Sequence, residues 1–355
     1  MSILELSPDE LQELVVSLGQ PAFRARQVYE WIYRSYARDF EGMTNLPKQL
    51  RTELAARTHL AAVEPVVEQT SADGLTTKAL LRLRDGQSVE AVLMNQPAAD
   101  AGGERRTVCV SSQVGCPVGC VFCATGQSGF VRHLTAGEIV GQVLFFAARL
   151  AAGGYERPVT HVVFMGQGEP LLNLAQTKRA VATLNSAQGL GLAARHITIS
   201  TAGVAPAIRE VAQWPWQVGL AVSLHAPNDA LRGQLVPLNR KYALGSILAA
   251  CRAYSTQTGR RVTYEYALID GVNDAVEQAL ELAARLRGHL CHVNLIPLNP
   301  TPDAALKPSP RKRVLAFQAE LVRQGIPCTV RVERGADIQG ACGQLRGIAP
   351  SAERG

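Results

Sequence analysis

The sequence predicts an α/β protein, a partial, open-sided (β/α)6 barrel preceded by a small N-terminal helical module. Three observations predict it. From residue 106 onward, six apolar, β-rich runs alternate with helical patterns. Cysteines and unusual polar residues fall just past the carboxyl ends of those runs, where parallel barrels assemble their sites. The first 75 residues instead repeat apolar positions at helical spacing and carry the opposite charge balance.

The elements follow in order. Residues 1–75 hold three amphipathic segments, "SPDELQELVVSLG", "AFRARQVYEWIYRSY" and "LPKQLRTELAAR", and form the small helical domain. Residues 76–105 are a strand-rich connector that bears Glu90 and ends in the loop "PAADAGG". The barrel takes 106–347, and 348–355 is a tail. Its strands are expected at 106–112, 160–165, 196–200, 218–224, 261–269 and 291–298, with a last one at 328–332 after the final helix. In "TAGE", Thr135 and Glu138 make a capping box, and Ile139, Val140, Val143, Leu144 and Ala147 continue the helix. Asn173 is expected to cap the next helix, with later ones at 275–286 and 311–322. Nearly continuous apolar strands signify a parallel sheet covered by helices. Six units are two short of a closed barrel, which leaves a flank through which a macromolecule reaches the interior.

Composition narrows the classes. With 47% hydrophobic and 19% charged residues over 355, the chain affords a large core and is not a disordered protein. No basic segment precedes an apolar one at the start, and no apolar run approaches the ~20 residues of a membrane span. A cytoplasmic protein with no membrane association is expected. Eight cysteines there point to metal or catalytic thiols rather than a disulfide framework. The net charge of +6 is uneven: residues 1–75 carry 7 Lys+Arg against 11 Asp+Glu, and the remainder 29 against 19. A basic body suits a polyanionic partner, although a merely solvated basic surface has the same signature.

The sharpest signal is "CPVGCVFC", which sets Cys116, Cys120 and Cys123 at C-x3-C-x2-C spacing after the first strand. A structural zinc ion wants four ligands, and Cys109 or His133 would have to be the fourth. Three packed thiols would be poor core composition beside Gly115, Gly119 and Gly126. A [4Fe–4S] cluster with one unprotected iron fits best. That iron chelates the amino and carboxylate groups of S-adenosylmethionine, and an electron from the cluster cleaves the sulfonium to a 5′-deoxyadenosyl radical. Phe122 would shield the cluster.

The pattern C-x3-C-x-F-C after the first strand of a partial barrel resembles the radical S-adenosylmethionine superfamily, and implies a barrel of that type. "VEAVL" (89–93), "CVSSQVGCPVGCVFCATGQ" (109–127), "MGQGEPLLN" (165–173), "ITISTAGV" (197–204), "LVPLNRKY" (235–242), "LIDGVND" (268–274), "NLIPLNP" (294–300) and "GADIQGACGQL" (335–345) resemble the RlmN family of RNA adenine C2-methyltransferases. Gln167 departs from the methionine often found there. Carbon 2 of adenine is electron-poor and has no lone pair, so it does not attack a sulfonium methyl, whereas a nucleophilic carbon radical adds to it.

The resemblance implies residue roles. Cys342 takes a methyl from one S-adenosylmethionine, and a second, cleaved at the cluster, activates that S-methylcysteine for addition to the base. Two molecules are thus used per turnover. Glu90 removes the ring proton, and Cys109 attacks Cys342, releasing the product as a disulfide forms. Gly168, Glu169, Ser200, Ser223, Leu224, His225 and Asn299 form the cofactor pocket. By themselves, Cys109 reads as packed core and Glu90 as a strand's solvent face, whereas the place of His225 after a strand and beside Ser223 favours cofactor contact over a satisfied core histidine. Cys251, Cys291 and Cys328 match no motif and read as buried hydrophobes. The implied substrates are an adenosine in the peptidyl-transferase region of 23S rRNA and the adenosine 3′ of the tRNA anticodon. The helical module would contact RNA, as could the basic clusters at 239–242, 259–261 and 311–313. An electron donor such as flavodoxin is implied, and a monomer is expected. Methylation at carbon 8 by the sister activity, which confers antibiotic resistance, and a zinc-bearing RNA-binding protein without catalysis are the alternatives.

Overall fold

The computed structural model describes residues 1–97, 103–300, 306–332 and 334–347. The 348–355 tail and most of the "PAADAGG" loop lie outside the described residues. The chain begins with helices α1 (Pro8–Ser17), α2 (Phe23–Tyr33) and α3 (Lys48–Arg57). Strands β1 (Glu64–Thr70), β2 (Thr76–Arg82), β3 (Ser88–Gln96) and β4 (Arg105–Cys109) follow. A loop region then carries β5 (Gln113–Gly115), α4 (Ala124–Gln127) and β6 (Phe130–His133). The remainder alternates: α5 (Ala136–Ala152), β7 (His161–Phe164), α6 (Leu174–Asn185), β8 (Ile197–Thr201), α7 (Ala205–Val211) and β9 (Gly219–Ser223). Then come α8 (Asp229–Leu235), α9 (Leu244–Thr258), β10 (Val262–Leu268), α10 (Val276–Leu286), β11 (Cys291–Pro297), α11 (Arg311–Arg323) and β12 (Cys328–Val330).

Ten strands form one sheet in the order β1-β2-β3-β4-β7-β8-β9-β10-β11-β12. From β4 to β12 every pairing is parallel, so the (β/α)6 core has the short β12 as a seventh parallel member. β1, β2 and β3 extend it antiparallel from β4. Residues 64–70, grouped with the helical module by sequence, are therefore a strand of the sheet. "EPVVEQT" is mostly exposed along its length, and an edge strand without a buried face carries little hydrophobic pattern. Among the described residues β12 pairs with β11 only, which leaves the barrel unclosed.

Local sequence explains the helix starts. Thr135 and Glu138 form the expected capping box on α5, and Ser7 and Glu10 form one on α1, each worth about 1 kcal/mol. Asn173 stands at the N-cap of α6, just before its first residue, without a capping bond from its side chain. Its amide is drawn away to the carbonyls of Ser112 and Leu134, 2.9 and 2.8 Å off. One apolar core runs from Leu11, Val28 and Ile32 of the module to Val140, Phe164, Leu220 and Phe317 of the barrel. On α5, one turn apart, Gly137 and Gly141 let the module come close. A Cβ there would lie 3.0 Å from Glu5 Cγ and 3.0 Å from Ala62 Cβ, respectively.

The segment between β4 and α5 is pinned at Gly115, with φ 72° and an ideal Cβ only 2.0 Å from the Gly129 carbonyl oxygen. That obstacle is backbone, so it does not rotate away. Gly115→Ala is expected to cut the iron retained after anaerobic reconstitution several-fold. Gly19→Ala, at the same φ of 72° with nothing within 4 Å, isolates the backbone strain and should leave iron content unchanged.

Candidate active site

At the carboxyl ends of the parallel strands lies a cavity of about 1070 Å³, open to solvent. Cys116, Cys120 and Cys123 form part of its wall. Gly168, Glu169, Ser200, Ser223, His225 and Asn299 face the same space. Leu224 does not: it is fully buried behind the wall, its N–H donating to the Glu265 carbonyl and its own carbonyl accepting from Arg232. A large apolar side chain at a strand end points into the core when its neighbours on either side face the cavity. Phe122 packs edge-on against the His225 ring, with centroids 4.7 Å apart.

Burial sets the ionisation of this cavity. It pushes the Cys116 thiol up to about 12 and Cys120 and Cys123 upward as well. It raises Glu169 to about 7, against the lowering effect of N–H bonds from Ala202 and Leu171. Burial also lowers His225 to about 3, with Arg232 adding to the effect. His225 Nδ1 accepts from Ala267 N–H at 2.9 Å, so its proton sits on Nε2 as a donor. A cationic ligand at the thiols and an ammonium at Glu169 would supply the charge that burial removes.

Cys342 lies on the loop running from Gly335 to Gly347, on a wall shared with a second cavity of about 620 Å³. Cys109, the last residue of β4, lines that second cavity but not the first. Burial pushes its thiol up to about 12. The loop is fixed on every side. Asn299 Nδ2 donates to the Cys342 carbonyl (2.9 Å), Ala124 N–H to that of Gly343 (2.8 Å) and Thr125 Oγ1 to that of Leu345 (2.7 Å). Arg334 and Asp337 reach across to Asn95 and Ala72, so the loop spans the barrel's open flank from β12 back to the antiparallel strands.

Glu90 lines neither cavity. It is 3% exposed, and its Oε1 pairs with Lys78 Nζ at 3.0 Å. Oε2 accepts from the backbone N–H groups of Arg346 and Gly347, at 2.6 and 3.0 Å. Gln167, the departure from methionine, accepts the Glu90 backbone N–H through Oε1 at 2.9 Å. The solvent-face reading of Glu90 is thus corrected: Lys78 on β2 is its diagonal neighbour on the same face, and the loop covers both.

The sequence reading missed Lys78, Gln113, Arg232 and Arg331. Gln113 accepts the Glu169 N–H at 2.8 Å. Arg232 is fully buried and donates to the carbonyls of Leu224, Ser223 and Ala202 and to Asn239 Oδ1, tying the ends of β8 and β9 together. Only Lys78 left a trace, as a cation inside the apolar run "TTKALLR". Of the basic clusters, 259–261 adjoins the amino end of β10, opposite the cavity. Arg313, at 311–313, is held by Asp270 and Asp274. Cys251, Cys291 and Cys328 are buried, as expected.

Among the described residues, no three His, Cys, Asp or Glu side chains converge as on a single metal ion, and His133 is engaged with Gln113. The zinc reading has no fourth ligand there. Three thiols spread over one cavity wall suit a larger inorganic group held at its corners, with a polar wall opposite for its ligand.

The description "Ribosomal RNA large subunit methyltransferase N-terminal domain" matches residues 1–60, and "Radical SAM superfamily" matches 110–283. A probable dual-specificity RNA methyltransferase RlmN of Symbiobacterium thermophilum is 47% identical over 346 residues, spanning 97% of this chain and 91% of that protein. The chain belongs to the RlmN family of radical S-adenosylmethionine enzymes. A ribosomal RNA large subunit methyltransferase N of Nitrosopumilus maritimus is also 47% identical, covering 97% of this chain and 98% of that one. The crystal structure of a radical SAM methyltransferase from Sphaerobacter thermophilus is 52% identical and superposes with a TM-score of 0.94, covering 98% of this chain and 100% of that chain. The enzyme is therefore a radical S-adenosylmethionine methyltransferase carrying a [4Fe–4S] cluster. No helix among the described residues is long and apolar enough to cross a membrane.

Arg232→Met would strand four buried acceptors that now share one guanidinium. It is expected to lower the unfolding free energy by about 3 kcal/mol or more, read from denaturant midpoints of the metal-free protein.

Proposed function

We propose that this enzyme methylates carbon 2 of an adenosine in the peptidyl-transferase region of 23S rRNA and of the adenosine 3′ of the tRNA anticodon. One observation carries the reading: Cys342 stands on the wall common to two cavities, with the three-cysteine wall in one and Cys109 in the other. A carrier thiol must meet the methyl donor on one side and its resolving thiol on the other, and this position supports both.

The chain's own residues have distinct tasks. Cys116, Cys120 and Cys123 hold the cluster, with Phe122 and His225 closing that side against water. Glu169 and Gly168, with Ser200, Ser223, His225 and Asn299, hold S-adenosylmethionine, and Leu224 supports that wall from behind. When bound, the cluster and S-adenosylmethionine supply the methyl group and the one-electron cleavage that carbon 2 demands. Cys342 carries the methyl as S-methylcysteine and becomes joined through it to the base. Glu90 receives the ring proton, for which it must first release the N–H groups of Arg346 and Gly347. Cys109 then attacks Cys342 to free the product. The base must be unstacked to enter, at a cost of a few kcal/mol, which favours loops over duplex. The helical module supplies part of the RNA contact, a flavodoxin-like protein the electron, and the enzyme works in the cytoplasm as a monomer.

Anaerobic incubation with 23S rRNA and tRNA, followed by nucleoside mass spectrometry, should yield 2-methyladenosine, and 8-methyladenosine would show the carbon-8 activity instead. Cys342→Ala is expected to abolish methylation, at least a thousandfold, because no methyl carrier remains. Cys109→Ala should leave protein covalently joined to RNA in denaturing gels, and recovery of free RNA alone would remove its assigned role.

A further inference from the structure

Arg331 follows β12 directly, its backbone N–H bonded to the Leu295 carbonyl at 2.8 Å. Its side chain lines both cavities, as do Cys342 and Asn299. The guanidinium has the Cys342 thiol, the Glu265 carboxyl and the Cys109 thiol in its field, Cys342 most strongly, and these hold its proton above the ordinary arginine range despite burial. For Cys109, whose thiol burial pushes up to about 12, Arg331 is the cation acting the other way. A guanidinium facing two thiols is a charge complement and not a base, since arginine does not give up its proton in a protein.

Building on the function proposed above, we infer that Arg331 is a catalytic residue for both sulfur steps, holding first Cys342 and then Cys109 as the anion that reacts. In the first step the Cys342 thiol loses its proton to solvent and its sulfur displaces the methyl carbon of the sulfonium. The new S–C bond forms as the sulfonium C–S bond breaks, and that electron pair leaves on a neutral thioether. Cys342 is then itself a neutral thioether and no longer draws the guanidinium, which is left to Cys109. In the second step the Cys109 anion attacks the Cys342 sulfur. The S–S bond forms as the bond from that sulfur to the base-borne carbon breaks, its pair going to that carbon, which takes a proton. One cation thus serves two thiolates in sequence, and capping the first thiol passes it to the second.

The test reads thiol chemistry without turnover. Full-length protein, kept anaerobic and confirmed by peptide mass to have Cys342 as a free thiol, is treated with iodoacetamide, and each cysteine is followed by peptide mass spectrometry. Arg331→Gln is expected to slow Cys342 alkylation near neutral pH about tenfold and to slow diamide-driven closure of the Cys109–Cys342 disulfide to a similar degree. Arg331→Lys, which keeps the charge, should retain at least half the wild-type rates, and Cys251 should react alike in all three. Unaltered Cys342 and disulfide rates in Arg331→Gln, with thermal melting unchanged, would overturn the inference. If Arg331→Gln does not fold, Arg331→Lys decides, and a tenfold loss there overturns it. RNA methylation by the wild type is measured in parallel: its absence removes the proposed function, while its presence beside unaltered thiol rates removes Arg331 alone.

Discussion

The position of Cys342 depends on one buried carboxylate. Glu90 takes an ammonium from β2 on one oxygen and two backbone N–H groups of the cysteine loop on the other. Bonds to a charged acceptor away from water are worth about 1.5–3 kcal/mol each, so this contact outweighs any single neutral bond along the loop. Lys78 also reaches the Gln339 carbonyl at 3.4 Å, so the pair grips the loop on both sides of Cys342. The consequence is mechanical. That carboxylate is engaged on both oxygens by three donors, so withdrawing it and loosening the loop are one event.

The larger cavity has a simple electrostatic logic. Its thiols, carboxyl and imidazole are each shifted toward their neutral forms by burial. Cations arriving there meet thiols and a carboxyl that gain by becoming charged while the imidazole stays neutral, which couples binding to proton release. Arg232 keeps this from collapsing. Four bonds from one guanidinium fix the strand ends that carry Ser200, Ser223 and His225, so the wall does not rearrange as charge enters.

Much of this was legible in the sequence, and for physical reasons. Buried parallel strands must be apolar, so β4 and β7 to β12 announced themselves, and the capping box at Thr135 and Glu138 marked α5 to the residue. The cysteine triplet, Glu169 and Asn299 stood out because their residue types are rare at strand ends. What stayed hidden has a common cause: burial is not written in residue type. Lys78, Arg232 and Arg331 look like solvated cations until strands far apart in the chain close over them. Asn173 misled for a similar reason, since two remote carbonyls claimed its amide. β1 was missed because an edge strand has no inward face to pattern.

That edge strand has a consequence for handling. A long sheet with a bare margin invites the margin of a second copy, and the reward for such docking is a row of backbone bonds. Here Pro65 offers no donor, the register slips between Pro65 and Val67, and Glu64 and Glu68 place negative charge along the rim, Glu68 engaged with Arg149. At the far margin β12 runs only from Cys328 to Val330, too short to template an intruder. The molecule is thereby guarded against fibril-like stacking at both margins.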